Sequence, residues 1–148
     1  MKTSDFTTTL LVGQPAKTVF DCINQPQLWW SGQVEGSASQ PNDEFTYRYQ
    51  EFHYSRQRVV EMIPDQKVVW LVTESSINFV ENKNEWTGTR ISFEISQEGK
   101  QTRLLFSHIG LVPDIACFDS CSNAWSQLIH QGLGALITTS EVKHLVLA

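Results

Sequence analysis

The alternation of apolar and polar positions is clearest in the last third of the chain. From Thr89 to Gln97, Ile91, Phe93 and Ile95 alternate with Arg90, Ser92, Glu94 and Ser96; from Thr102 to Ile109, Leu104, Phe106 and His108 share one parity. A period of two predicts two strands, each with one oily face, joined by a turn at Glu98-Gly99-Lys100. The segment Phe118 to Thr139 instead spaces Trp125, Leu128, Ile129, Leu133, Leu136 and Ile137 as one side of a helix. A hairpin with an oily face must be covered, and this amphipathic helix is its natural cover. Gly132 and Gly134 each weaken the helix by about 1 kcal/mol relative to Ala, so a bend, a close neighbour or a frayed end is expected there.

The first two thirds follow the same logic. Phe6 to Val12 reads as a strand, ended by Gly13-Gln14-Pro15, and Pro15 suits a first helical position. Ala16, Val19, Phe20 and Ile23 then form one helical stripe, terminated at Asn24-Gln25-Pro26. The adjacent Trp29 and Trp30 cannot both face inward from a strand, so a turn or helical bend is expected there. Val34 to Asn42, made of Gly, Ser, Gln and Pro, reads as an exposed loop, followed by strands at Glu44 to Tyr49 and Phe52 to Ile63, a turn at Pro64-Asp65-Gln66, and a strand at Lys67 to Thr73. Every position from Val68 to Val72 is apolar, so periodicity leaves open which parity faces the helix. Glu74 to Trp86, polar apart from Ile77, Phe79 and Val80, reads as a broken strand or a loop over the mouth of the sheet. Strand, helix, several strands joined by tight turns, helix: the class is α+β with an antiparallel meander.

Length and charge narrow the picture. A chain of 148 residues with 41% hydrophobic content can bury one sizeable core, so residues 1–148 are expected to form one domain. The net charge of -5 and the lack of a basic cluster argue against nucleic acid and anionic membranes as partners. With no stretch of signal-peptide or membrane-spanning length, the expected location is the cytoplasm. Three cysteines, Cys22, Cys117 and Cys121, are an odd number and fit reduced thiols. Cys117 and Cys121 share a helix face and could in principle hold a soft metal, but further ligands at a recognisable spacing are missing. They are expected to be buried fillers, with no metal and no cofactor. A surface rich in Trp and Tyr is compatible with a homodimer, and the apolar segment Glu141 to Ala148 suits packing on the sheet or on a neighbouring chain.

Candidate chemistry is sparse. The chain has no nucleophile elbow, no phosphate-cradling glycine loop and no closely spaced carboxylate pair, so no catalytic residue is assigned. His108 is the most informative polar residue because it shares the inward parity of Leu104 and Phe106. Its imidazole, with an ordinary pKa of about 6.5, could orient a ligand or act as acid or base. The plainer alternative is a structural histidine bonded to a backbone carbonyl near Gly110. His53, His130 and His144 have no partner at metal-ligand spacing. Arg48, Arg56, Arg58 and Glu61 are expected on the solvated face of the sheet, with a Glu61–Arg90 ion pair of little worth.

Several segments together carry a resemblance. They are Pro15-Ala16-Lys17-Thr18-Val19-Phe20, Trp29-Trp30, Val59 to Pro64 leading to Trp70, Thr102 to Leu111, and Asn123-Ala124-Trp125. In this order, from residue 5 to about 140, the chain resembles the START-like (SRPBCC, helix-grip) superfamily, and within it the branch of heat-shock-protein-90 ATPase activator homologues. The resemblance implies a curved antiparallel sheet around a long C-terminal helix, with a ligand cavity between them. Members bind lipids, sterols, plant hormones or polyketides, and a few catalyse cyclisation or dehydration; fold alone does not transfer activity. In the eukaryotic activators another domain makes much of the chaperone contact, and this chain has no room for it. The expected function is therefore binding of a small, largely apolar molecule. Candidate ligand-binding residues are Trp30, Trp70, Phe93, Phe106, His108, Trp125 and Ile129, the bland alternative being that they are core. Two alternatives stand: an enzyme acting on a bound carbonyl or polyketide-like substrate with His108 as acid or base, and a chaperone-interacting protein.

Overall fold

The computed structural model describes residues 5–78 and 83–142. Seven strands, β1 (Phe6–Val12), β2 (Gln33–Gly36), β3 (Glu44–Tyr49), β4 (His53–Ile63), β5 (Lys67–Ile77), β6 (Arg90–Glu98) and β7 (Gln101–Ile109), form one antiparallel sheet in the order β1-β7-β6-β5-β4-β3-β2. The short helix α1 (Ala16–Ile23) and a turn of 3₁₀ helix (Pro26–Leu28) carry the chain from one edge to the other. The C-terminal helix runs as α2 (Phe118–Gln127), a π-helical stretch (Leu128–Leu133) and α3 (Gly134–Thr139). The sheet curves around this helix, giving the expected α+β helix-grip architecture.

The β6–β7 hairpin closes through the two residues Gly99 and Lys100, with Glu98 opposite Gln101 and Gly99 at φ 61°, the positive φ that a two-residue hairpin turn demands. Its register sets Phe93 against Phe106, Ile91 against His108 and Ile95 against Leu104, so all six share the inner face. The parity left open for 67–73 is settled by the β5–β6 register, which sets Val68 against Phe93 and Trp70 against Ile91, while the β4–β5 ladder carries two irregularities, between Arg56 and Gln57 and between Val59 and Glu61. Val68, Trp70 and Val72 join the inner core; past the shift at Thr73 the buried positions become Ser75 and Ile77. Such bulges bend and twist a strand, and these two lie in the middle of the sheet, where it must wrap the helix.

Several local expectations change. The start of the segment read as loop, residues 34–36, belongs to an edge strand, Gln33–Gly36, on β3, with Val34 opposite Tyr47; it is mostly exposed, so its ladder bonds hold it rather than burial. β5 continues through the polar Glu74-Ser75-Ser76 to Ile77. Pro15 is the residue before the helix, extended at ψ 159°. The glycine-bearing part of the last helix widens into the π-helical stretch. Trp29 and Trp30 follow the 3₁₀ turn and are both buried, stacked at 6.2 Å. On the outer face Arg56 Nε donates to Glu44 Oε1 at 2.8 Å, Lys67 rather than Arg90 pairs with Glu61 at 3.5 Å, and Arg48 lies 4.8 Å over the Tyr54 ring. Phe79, Val80 and most of the segment after Glu141 lie outside the described residues. Among the described residues no helix is long and apolar enough to cross a membrane.

Candidate functional site

Aromatic rings pack against one another between the sheet and the helix. Trp30 stacks on Tyr47 at 3.9 Å and lies 5.1 Å from Trp125; Trp70 lies 4.9 Å from both Phe45 and Phe93; Phe93 lies 5.3 Å from Phe106; and Phe106 lies 4.6 Å from Trp125. Trp125, on the inward side of α2, thus meets the rings of Trp30, Trp86, Phe106 and His108. Ile129, one turn on, is fully buried. All seven candidate residues face this interior and are at most 2% exposed.

His108 is fully buried, and its hydrogen bonds define its tautomer. The Trp125 indole Nε1–H donates to His108 Nδ1 at 3.0 Å, so Nδ1 carries no proton. Nε2 therefore holds it and donates to Thr89 Oγ1 at 2.8 Å, and the Thr89 hydroxyl donates to the Trp86 carbonyl at 2.6 Å. Burial, reinforced by nearby His53, lowers the His108 pKa to about 3, because an imidazolium there would lose its water and gain no anion. The ring is neutral near pH 7. Its partners are an indole and a hydroxyl, not the expected carbonyl near Gly110. Gly110 serves otherwise: at φ 105°, a Cβ on it would stand 2.6 Å from Thr89 Cγ2, so glycine makes room for the threonine that holds His108.

Three features escaped sequence reasoning. Trp86, at the end of a largely polar stretch, is 4% exposed and lies edge-on to His53 at 4.4 Å and to His108 at 4.6 Å, and parallel to Trp125 at 5.9 Å. His53, Ser55 and Gln57 form a polar strip on the inner side of β4: Gln57 Nε2 donates to Ser55 Oγ at 2.5 Å, which is 3.1 Å from His53 Nε2. Burial lowers the His53 pKa to about 3. The third is unmet hydrogen bonding: Gln57 Oε1, Trp70 Nε1 and Trp86 Nε1 are buried without a partner. The first two are neighbours, since Gln57 lies opposite Val72 and Trp70 opposite Val59, a diagonal pair on one face. The third stands beside the thiols of Cys117 and Cys121. Alternating polar residues on β4 were the one available signal, and alternation alone does not tell the inner face from the outer. Among the described residues no three metal-ligating side chains cluster.

An antiparallel sheet closed on a C-terminal helix, with aromatic and polar side chains between, defines a START-like helix-grip protein. Residues 14–138 match the family described as Activator of Hsp90 ATPase homolog 1-like protein, and the chain belongs to that family. Similar solved structures include an Aha1 dimer from Colwellia psychrerythraea, with TM-score 0.71, 19% identity, and 90% of this chain and 96% of that chain covered. CalU16 from Micromonospora echinospora follows with TM-score 0.62, 12% identity and coverage of 95% and 88%. DynU16, from the dynemicin biosynthetic locus, matches with TM-score 0.66, 10% identity and coverage of 93% and 48%. At these identities the likeness shows the fold. No curated protein sequence matches the chain.

Proposed function

We propose that this protein binds a small, largely apolar molecule carrying at least one polar group, held between the sheet and α2. The observation that carries this reading is the pair of buried, unpartnered atoms Gln57 Oε1 and Trp70 Nε1 on the inner face of the sheet. Leaving such a group unpaired costs about 1–3 kcal/mol, and native interiors rarely tolerate it without a reason. In this reading a ligand hydroxyl donates to Gln57 Oε1 or accepts from the Trp70 indole, while Trp30, Phe93, Phe106, Trp125 and Ile129 enclose an apolar body. The rings touch one another in this arrangement, so entry parts them, Trp30 and Trp86 being rings carried by connections rather than by a strand or helix. A neighbour from the dynemicin biosynthetic locus supports a small-molecule ligand. His108 orients and does not react in this reading: its ring is neutral and both nitrogens are bonded within the protein.

The protein acts in the cytoplasm as one domain of 1–148, without cofactor and without nucleic acid or membrane as partner, and it pairs with a second copy as the Colwellia neighbour does. Chaperone contact forms no part of the activity. The test is native mass spectrometry of protein purified from its own host, followed by tryptophan-quenching titrations with hydroxylated aromatic and lipid extracts. A retained or quenching compound is expected, and finding neither overturns the reading.

A further inference from the structure

The sheet ends in two unlike edges. β2 has four residues, carries Glu35, and stops at Gly36, whose φ of 106° takes the chain out of the extended region. Short, charged edges of this kind resist further pairing. β1 at the other edge runs for seven residues, Phe6–Val12, with no charge, proline, glycine or register shift along it. Such an edge is a template for another strand, and among the described residues no strand lies on its outer side. Phe6 N donates to Leu111 O at 2.9 Å, on the β7 side. Because successive residues of a strand turn their N–H and C=O groups to opposite sides, Thr7, Thr9 and Leu11 present theirs at the open edge. The side chains of these three residues are exposed as well, Leu11 at 45%, on the face of the sheet away from the helix.

A surface that meets its own copy across a two-fold axis must be self-complementary, and this edge is. Antiparallel, with Thr9 opposite Thr9 of the second copy, it sets Thr7 opposite Leu11 of the second copy and the reverse, and the three pairs exchange about six backbone hydrogen bonds. Other registers engage fewer of the three residues. On the exposed face the same register lays Thr on Thr and Leu on Thr, without a charge among them. Charge favours the antiparallel sense: Asp5 precedes the strand, and Arg103, opposite Leu11 on β7, marks its far end. Each copy then brings its acid towards the base of the other, past Gly13, which has no side chain to intervene. Parallel pairing would set like charges side by side.

We propose that two copies of this chain join through β1, antiparallel about a two-fold axis at Thr9, into one continuous sheet. The proposal rests on the reading that the protein pairs with a second copy, and it names the contact. Pairing uses up the β1 edge of both copies, so the assembly closes at two.

The full chain is studied by sedimentation, and by NMR on dimers mixed from isotope-labelled and unlabelled copies. In this register Thr8 and Leu10 of the second copy form a non-hydrogen-bonded pair, whose Hα protons lie close, whereas within one strand two such residues stand too far apart to meet. A Thr8–Leu10 Hα NOE between labelled and unlabelled chains is expected, with slow amide exchange at Thr7, Thr9 and Leu11. Thr9→Lys sets two like charges opposite each other at the axis and should raise the dissociation constant of the dimer by about tenfold or more, with the circular dichroism unchanged. A chain that stays monomeric at every concentration overturns both this contact and the reading it rests on. A dimer that lacks the intermolecular NOE, or keeps its dissociation constant in Thr9→Lys, overturns the β1 contact alone. The wild-type NOE decides where the variant fails to fold.

Discussion

At the scale of single residues, His108 ties stability to pH. Its folded pKa of about 3 lies below the ordinary value of 6.5, so the unfolded chain takes up a proton at a pH where the folded chain does not. The contribution is complete above about pH 6.5 and is lost as pH falls from there towards 3. One pKa unit is worth about 1.4 kcal/mol, so at pH 5 this one group has lost about 2 kcal/mol. His53 shifts in the same direction and steepens the loss. Urea unfolding at pH 7.5 and pH 5 should show the drop, and His108→Phe should flatten it while lowering stability at both values, because the Trp125 indole and Thr89 lose their partner. An unchanged pH slope in that variant would show that another group carries the effect. A companion expectation concerns Gly110: a methyl there meets Thr89 at φ 105°, so Gly110→Ala should lower the melting temperature and loosen the Thr89–His108 bond. His108 was legible in the sequence as an inward residue because hydrophobic neighbours at Leu104 and Phe106 fixed its parity. Its partners were not, since Thr89 and Trp86 reach it across a polar connection that carries no periodicity.

Elements were legible where one face is buried and opaque where hydrogen bonds alone hold them. The β6–β7 hairpin, α1 and the last helix have periodic stripes, and each lies within a residue or two of its expected place. β2 has none, because an edge strand with both faces largely wet needs no apolar alternation. The bulges at Val60 and Thr73 add one residue to a ladder, which flips the inward parity of everything after them, and nothing in an all-apolar run such as Val68 to Val72 announces the flip. The glycines in the last helix did carry a signal: the helix widens at Leu128–Leu133, directly beyond Trp125. Gly134 is helical at φ -58° and ψ -44°, and a Cβ there would meet Ile129 O at 3.4 Å and Leu10 at 3.7 Å, ordinary contacts. Gly134→Ala should therefore stabilise the protein by up to about 1 kcal/mol through helix propensity. Destabilisation beyond error in chemical unfolding would mean that the π-helical stretch needs the freedom of glycine.

For the whole molecule, the order of elements was enough to reach an antiparallel α+β meander covered by the last helix, and the family resemblance added the curved helix-grip architecture, whereas the character of the interior depends on which side chains turn inward. The interior is aromatic, yet Ser55, Gln57 and His108 are buried in it. A core selected only for stability gains from replacing a half-satisfied amide by a hydrocarbon of similar size, because leaving one carbonyl unpaired costs more than its partner bond returns. Gln57→Leu tests which selection acted. The substitution removes the orphaned Oε1 and the bond to Ser55, while Ser55 keeps His53 as a neighbour. Under the ligand-binding reading the ligand-free variant should be more stable by about 1 kcal/mol in urea unfolding. It should also lose roughly tenfold in affinity for a hydroxylated ligand, the equivalent of about 1.4 kcal/mol, with little change for the deoxy analogue in the same quenching titration. That pairing of gained stability with lost discrimination marks a side chain retained for binding. If Gln57→Leu weakens the fold and binds both ligands as the wild type does, Gln57 is structural, and the polar strip on β4 no longer supports a ligand.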